Sequence, residues 1–579
     1  MRIRSFLLVG LVAWPGVHFA DDVGDPASTI RKPQPARLQH EPATYGGARQ
    51  QFKSDLSGLV GKNYGQTSSS VPAARTTTST RGSLSVMEKN VVYEGYSKEF
   101  QNLRNLAYQG RIGDIEPYYE NYYRNIQNKA VAGSNQSQSD SPFDGFPGPA
   151  PKQTQGAPVE AADNDFLRLL ERGTFSLDAG RFENAIERLE RAEQHLNASQ
   201  ETPKAWEGLL KALNFVGETV TGHEELAPYQ STGYEKVLLL NFKSIAFLLQ
   251  GDRRAYNVTR RAIDLQNQEK DAFEQKLREQ SEEMTKQQEE ESGKGHDLLG
   301  LKLDDVVGDT YRSTDTKALS VASAFVNPFG YYVAGLIQEF DSYLDPSLRD
   351  NARISYEKAL DLNPNSKVIK EAVSNLKNKS PPRDKRLVHI VAANGFSPEK
   401  KVNVIRLRFD EVKTYIKVPR YEPVAGKVAA IYVTTANGAK LAQLQPVADV
   451  EAICLRHQKD LEPYQQFRLT LAVVRSVVSR TLLAKAFGSW GLIGGEVLDA
   501  LATPDMRSWM SLPSSVLAAR VFVPKTLNEI VLTSYDREGR KLASRAVKLN
   551  SSTHNFVYAR GVENQLYAHT NDALWVSKL

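Results

Sequence analysis

The feature that most constrains this chain is a change of hydrophobic period near Lys385. Upstream, apolar residues recur at helical spacing, as in "DAGRFENAIERLERAEQHL"; downstream they alternate, as in "KVNVIRLRF", which sets Val402, Val404, Leu407 and Phe409 among polar residues. A helix buries a stripe that repeats every 3.6 residues, and a half-buried strand buries every second residue. The chain is therefore expected to be multidomain, an α-helical repeat region over 163–380 followed by a strand-rich α+β domain over 385–579.

Three segments of the helical region share one pattern. In the first, Gly180, Phe182, Ala185, Leu189 and Ala192 stand as they do in the second helix of a tetratricopeptide unit, where small residues let two helices approach closely. In the second, Ala255 and Ala262 follow Gly251; in the third, "NARISYEKALDLNPNS", Ala352, Tyr356 and Ala359 precede Pro364. Their spacing is uneven, 70 residues from Ala185 to Ala255 and 97 from Ala255 to Ala352, which predicts a degenerate array with insertions. Such arrays stack into curved solenoids whose concave face takes a protein segment; a plain helical bundle is the alternative. Tyr356, in the clearest copy, is a candidate binding residue. After the second copy the helix is expected to run on through "QNQEKDAFEQKLREQSEEMTKQQEEESGKG", where Phe273, Leu277 and Met284 are too sparse for a sustained coiled-coil seam. That reads as a solvated helix, with a partner contact as the alternative.

The N-terminal part is organised differently. Residues 1–20 place Arg2 and Arg4 before an apolar run from Phe6 to Trp14 and end on Ala20, the pattern of a secretory signal peptide. Residues 21–84 are polar and of low complexity and read as a disordered arm; 131–162 read as a linker. Between them, 85–130 is expected to be a helical hairpin. Phe100, Leu103, Leu106 and Ala107 keep helical spacing until Gly110 and Gly113, and the segment carries Tyr108, Tyr118, Tyr119, Tyr122 and Tyr123. The only cysteine is Cys454, so no intramolecular disulfide can form. An exported chain of this size without one fits a bacterial periplasm.

In the C-terminal part, Asn437-Gly438 between apolar runs signals a hairpin, and Asp536 to Gly539 marks a second. A helical insert is expected over 459–501. Arg475, Arg480 and Lys485 interrupt its apolar stretch, so it reads as a core helix, or one lying against a membrane or another protein, and not as a span.

These features together, with the segment "PDMRSWMSLPSSVLAARVFVP", resemble a broadly distributed family of bacterial cell-envelope proteins, many of them lipoproteins. The family pattern of Asp, any residue, Arg, Ser, Trp and then Leu-Pro is matched by Asp505, Arg507, Ser508, Trp509, Leu512 and Pro513. The chain departs from lipidated members in having no cysteine at the signal junction. The resemblance implies an exported, periplasm-facing interaction protein.

Asp505, Arg507 and Trp509 are the remaining candidate binding residues. Physically the loop reads as a structural clamp: Asp505 accepts from nearby N–H groups or from Arg507, and Trp509 anchors the loop on the sheet. The alternative is an exposed Arg–Trp pair for a partner or a glycan. None of the nine histidines forms an H-x-x-x-H pair, and no phosphate loop or G-x-S-x-G occurs. No catalytic residue, cofactor or metal is expected. With 73 basic against 68 acidic side chains, nor is nucleic-acid binding. The expected function is an exported scaffold or adaptor, periplasmic or outer-membrane-associated. It would hold an envelope protein through its helical repeats, with peripheral membrane or cell-wall contact. A cell-wall-binding or cell-wall-modifying enzyme with its site in the C-terminal domain is the alternative.

Overall fold

The computed structural model describes residues 84–121, 165–201, 229–293, 303–378, 382–487 and 504–571, apart from a few single positions. The expected signal peptide, nearly all of the arm, the linker, Tyr122, Tyr123 and the end of the helical insert lie outside the described residues. The architecture is mixed, with helices in the middle of the chain and most strands after it.

Strand β1 (Leu84–Val92) leads into helix α1 (Gly95–Tyr108), a 3₁₀ turn and a further helical stretch at 115–121. Helices α2 (Phe166–Asp178) and α3 (Phe182–Glu201) form a hairpin, as do α4 (Gly233–Leu249) and α5 (Arg254–Gly293). Three of these turns close in the same way. Gly110, Gly180 and Gly251 have φ of 80°, 77° and 67°. Each donates its N–H to the carbonyl three residues back, and the next N–H reaches five back, to Leu106, Ser176 and Phe247. That is the Schellman closure, which requires a residue at home in the left-handed region.

Helices α6 (Leu303–Arg312) and α7 (Asp315–Ala318) precede a third hairpin, α8 (Pro328–Ser342) with α9 (Arg349–Leu362), and then α10 (Lys367–Asn378). Small residues set how closely the pairs approach. A Cβ on Gly173 would lie 2.7 Å from Leu189, and one on Gly335 2.8 Å from the Tyr356 ring. Ala185, Ala192, Ala255, Ala262, Ala352 and Ala359 are all buried. Helix α4 is enclosed on nearly every side, which its "VLLLNFKSIAFLL" composition allows.

The strands form three sheets. Strands β2 (Lys385–Asn394), β7 (Gln445–Asp449), β8 (Ser515–Pro524), β11 (His554–Val562) and β12 (Gln565–Thr570) make a five-stranded sheet in the order β12-β11-β2-β8-β7. Only its β11–β2 pair is parallel. Strands β5 (Ala430–Thr435), β6 (Lys440–Gln443), β9 (Glu529–Tyr535) and β10 (Lys541–Lys548) form a second sheet, β10-β9-β5-β6. The expected turns at Gly438 and Gly539 join β5 to β6 and β9 to β10, both glycines with positive φ. The third sheet is β1-β3-β4, with β3 at Glu399–Phe409 and β4 at Val412–Glu422.

Alternation along the central strands divides the core. Val388, Ile390, Leu517, Ala519, Val557 and Ala559 face the four-stranded sheet and pack on Ile431, Val433, Ile530 and Leu532. Val391, Ala518, Phe556 and Tyr558 face the other way, into one core shared with Leu170, Phe175, Leu238, Phe242 and Phe329 of the helices. The order is helices, sheet, sheet. The expected boundary at 380–385 is thus a change of secondary structure and not of core, and the described residues belong to one compact unit.

Two local expectations differ from the structure. Leu84–Val92, placed at the end of the arm and the start of the helical hairpin, is a strand paired antiparallel with β3. Its apolar residues fall in adjacent pairs, Val86-Met87 and Val91-Val92, which is not helical spacing. The insert is helix α11 (Val450–Phe487), beginning nine residues before the expected Lys459. Asp449 caps it, its carboxylate accepting the N–H of Ala452 at 2.9 Å, and Pro463 lies inside it. No described helix is long and apolar enough to cross a membrane.

Candidate functional site

The segment from Asp505 to Pro513 is an irregular loop wedged between the helices and the five-stranded sheet. Met506, Trp509, Met510 and Leu512 are buried to within 1% of complete enclosure. A buried loop must find partners for its backbone polar groups away from water, and here the helices supply carboxylates for the N–H groups. Glu235 on α4 accepts from the N–H of Trp509 at 2.9 Å. Glu171 on α2 accepts from Met510 at 2.8 Å and Ser511 at 2.9 Å. Three consecutive amides are thus held by two carboxylates from two helices.

The loop carbonyls are matched by side-chain donors from several elements, among them Ser97 of α1, which donates to that of Met506 at 3.2 Å. Lys400 on β3 donates to the carbonyls of Asp505 and Arg507, at 3.2 and 2.8 Å. Ser397 donates to that of Trp509 at 3.1 Å, and Arg560 on β11 to that of Ser511 at 2.9 Å. The Trp509 indole N–H lies 3.0 Å from Thr174 Oγ1 and 2.9 Å from Ser511 Oγ, and its ring meets Phe242 edge-on. Asp505 and Arg507 pair with each other through two side-chain hydrogen bonds, at 2.8 and 2.9 Å, and the guanidinium lies over Tyr229.

The electrostatics follow from burial. Desolvation pushes Glu171 up to about 8 against its bonds to Ser511 and Met510, and the charge of Glu235 adds to the rise. Burial also raises Asp505, but Arg507 and Lys400 outweigh it and hold that carboxyl below its ordinary value. Next to the loop, Arg560 is wholly buried, with its Nε 3.6 Å from Asp178 of α2, and Tyr558 donates to the same carboxylate at 2.7 Å. Burial raises Asp178, and Arg560 only partly opposes it.

A second buried cluster joins α8 to the sheet. Arg520 on β8 makes a two-point pair with Glu339 of α8, and the Tyr356 hydroxyl donates to Glu339 at 3.3 Å. Burial favours the neutral acid, yet Arg520 and His389 pull Glu339 far below the ordinary carboxylate range. His389 Nε2 lies 3.3 Å from Glu339, but desolvation lowers the imidazole, so near pH 7 it stands neutral beside the pair. His554 is pushed down to about 3 by burial and by His389.

The four sequence candidates therefore occupy two places. Asp505, Arg507 and Trp509 share the loop, and Tyr356 belongs to the Glu339 cluster. Trp509 at 1% and Tyr356 at 0% exposure present no face to a partner, because the helices cover them. Asp505 and Arg507 keep part of their side chains in solvent, where they satisfy each other. Sequence reading missed Glu171, Glu235, Asp178, Glu339, Arg520 and Arg560, whose partners are remote in the chain.

Chemically this arrangement clamps, its buried carboxylates bonded to loop amides or set beside arginines. A void of about 10 Å³ beside Ile112, Phe175 and Arg181 has room for about one water. Among the described residues no group of three or more His, Cys, Asp and Glu is placed to hold a metal. Cys454 is buried and its thiol is pushed up to about 12 by desolvation, away from nucleophilic use. Comparison with protein-family models, curated proteins and solved structures gives no match.

Proposed function

We propose that this protein is an exported interaction scaffold of a bacterial cell envelope, built on a degenerate tetratricopeptide-like array whose inner face is filled by its own strands. The leader-like residues 1–20 support export. The repeated glycine-closed hairpins support the array reading. A partner then meets the outside of the protein, since the sheet-facing side of the helices is occupied by β8, β11 and the 505–513 loop.

The observation that carries the reading is the apolar edge of β1. Among the described residues, four of the six large apolar side chains that stand exposed, Val86, Met87, Val91 and Val92, lie on this one strand. Among the described residues strand β1 pairs on one side only, with β3. An open edge with apolar side chains is a template for an added strand from another protein.

The test is in-cell crosslinking of the full-length protein, with purification from the envelope fraction, comparing wild type with a Val86→Lys/Val91→Lys variant. Recovery of one envelope protein by the wild type and its loss in a variant of unchanged melting temperature is the expected result. Equal recovery by both would remove β1 from the account. Retention on isolated cell-wall material with no protein partner would favour a wall-binding or wall-modifying role instead.

A further inference from the structure

The four-stranded sheet lies outermost, with one face on the five-stranded sheet and the other towards solvent. Ile431, Val433, Ile530 and Leu532 fill the inner face, so alternation turns Tyr432, Thr434, Val531 and Tyr535 outward. The register sets Lys440 beside Thr434, Gln443 beside Tyr432 and Lys541 beside Tyr535 on the same face. Tyr432 and Tyr535 meet edge to face at 5.5 Å, and the Lys440 ammonium lies 5.4 Å from the Tyr432 ring.

Charge on this sheet is one-sided. Its strands carry Lys440, Lys541, Arg545 and Lys548 against a single carboxylate, Glu529. All four cations are exposed, and none is ion-paired among the described residues. Such a surface attracts an anion, and its other groups narrow the class. An added strand is deterred by the cations along the edge strand β10. A protein partner needs a charge-poor apolar centre and a bilayer an apolar face to insert, but Val531 is the one outward aliphatic side chain larger than alanine. A nucleic-acid base needs an open aromatic face, whereas the two tyrosines meet edge to face and Lys440 lies over one of them. The face offers hydroxyls, an amide and ammonium groups, which match a ligand made of hydroxyls and carboxylates.

We propose that this outward face binds an acidic glycan, with Lys440 and Lys541 taking carboxylates at its two sides and Tyr432, Thr434 and Gln443 bonding to sugar hydroxyls between them. Strands β6 and β10 are the outer strands, three sheet spacings or about 14 Å apart, so one chain crossing the sheet reaches both cations. None of these residues lies on β1, so this proposal stands or falls apart from the edge-strand reading.

Isothermal titration of the full-length protein with hexagalacturonate tests it, with neutral maltohexaose and equally charged hexaglutamate as controls. Hexagalacturonate is expected to bind about tenfold more tightly than either control, and to weaken as salt is raised. Replacing the two exposed cations in a Lys440→Gln/Lys541→Gln variant of unchanged melting temperature should weaken it by about tenfold or more. No binding, no preference over maltohexaose, or unchanged affinity in the variant overturns the proposal. Hexaglutamate binding as tightly as hexagalacturonate also overturns it, since charge alone would then explain the affinity.

Discussion

The indole N–H of Trp509 donates to Thr174, 335 positions earlier in the chain, at 3.0 Å and out of contact with solvent. This bond ties the irregular loop of the strand-rich half to the first helix of a hairpin in the other half. Trp509→Ala is expected to cost about 3–5 kcal/mol, from the lost burial and the space left behind. Trp509→Phe keeps most of the burial and leaves Thr174 and Ser511 without their donor, a loss of about 1–2 kcal/mol. Denaturant unfolding of both variants checks the order; equal losses would contradict it.

The Glu339–Arg520 pair predicts a non-additive result. Removing either partner alone leaves a buried charge, so Glu339→Leu and Arg520→Met each should cost about 3–5 kcal/mol. The double variant replaces the pair by apolar groups and should cost much less than the sum. A double-mutant cycle by urea titration measures this, and additive losses would show that the two charges do not interact.

Stability should vary with pH through three buried groups. Glu171 is raised from 4.5 to about 8, so its contribution is full below 4.5 and is lost as pH rises towards 8. His554 and His457 are both lowered from 6.5 to about 3, so their contributions are full above 6.5 and are lost as pH falls towards 3. Between 4.5 and 6.5 the two histidines outweigh the one acid, and stability from these groups rises by about 1.4 kcal/mol per pH unit; above 6.5 it falls by about the same. Melting temperature measured from pH 4 to 8 should peak at about pH 6.5, and His554→Phe should flatten the acid side while leaving the alkaline one; a peak unmoved and unflattened in that variant would contradict it.

Glycine replacements separate backbone strain from crowding. Gly180 and Gly438 both have positive φ, 77° and 87°. A Cβ at Gly438 would meet nothing within 4 Å, whereas one at Gly180 would lie 2.5 Å from the His569 ring. Gly438→Ala is expected to cost about 1–2 kcal/mol, and Gly180→Ala about 1–3 kcal/mol more. Thermal unfolding of the two variants decides, and equal losses would place the whole effect in the backbone.

What was legible in the sequence is what local physics determines. Gly110, Gly180 and Gly251 mark helix ends because their left-handed φ leaves few other residue types, and Asn437-Gly438 marks a hairpin for the same reason. The alanines of the helix pairs are visible from their spacing. Strand β1 was not, because an edge strand exposed on both faces has no clean alternation. The start of α11 was hidden because no loop precedes it: Asp449 ends β7 and caps the helix that begins at Val450. Least legible were the groups that hold the loop, since Glu171 and Met510 are 339 residues apart. One trace of them existed: Glu235 and Glu339 stand in helices of largely apolar composition, where a buried charge is costly unless it has a partner.

The central claim is that the helical and strand-rich halves share one core closed by the 505–513 loop. Scanning calorimetry of the full-length protein tests it most directly. The account predicts a single unfolding transition with calorimetric and van't Hoff enthalpies in agreement, lowered as one by Trp509→Ala. Two separable transitions, with Trp509→Ala moving only one of them, would contradict it.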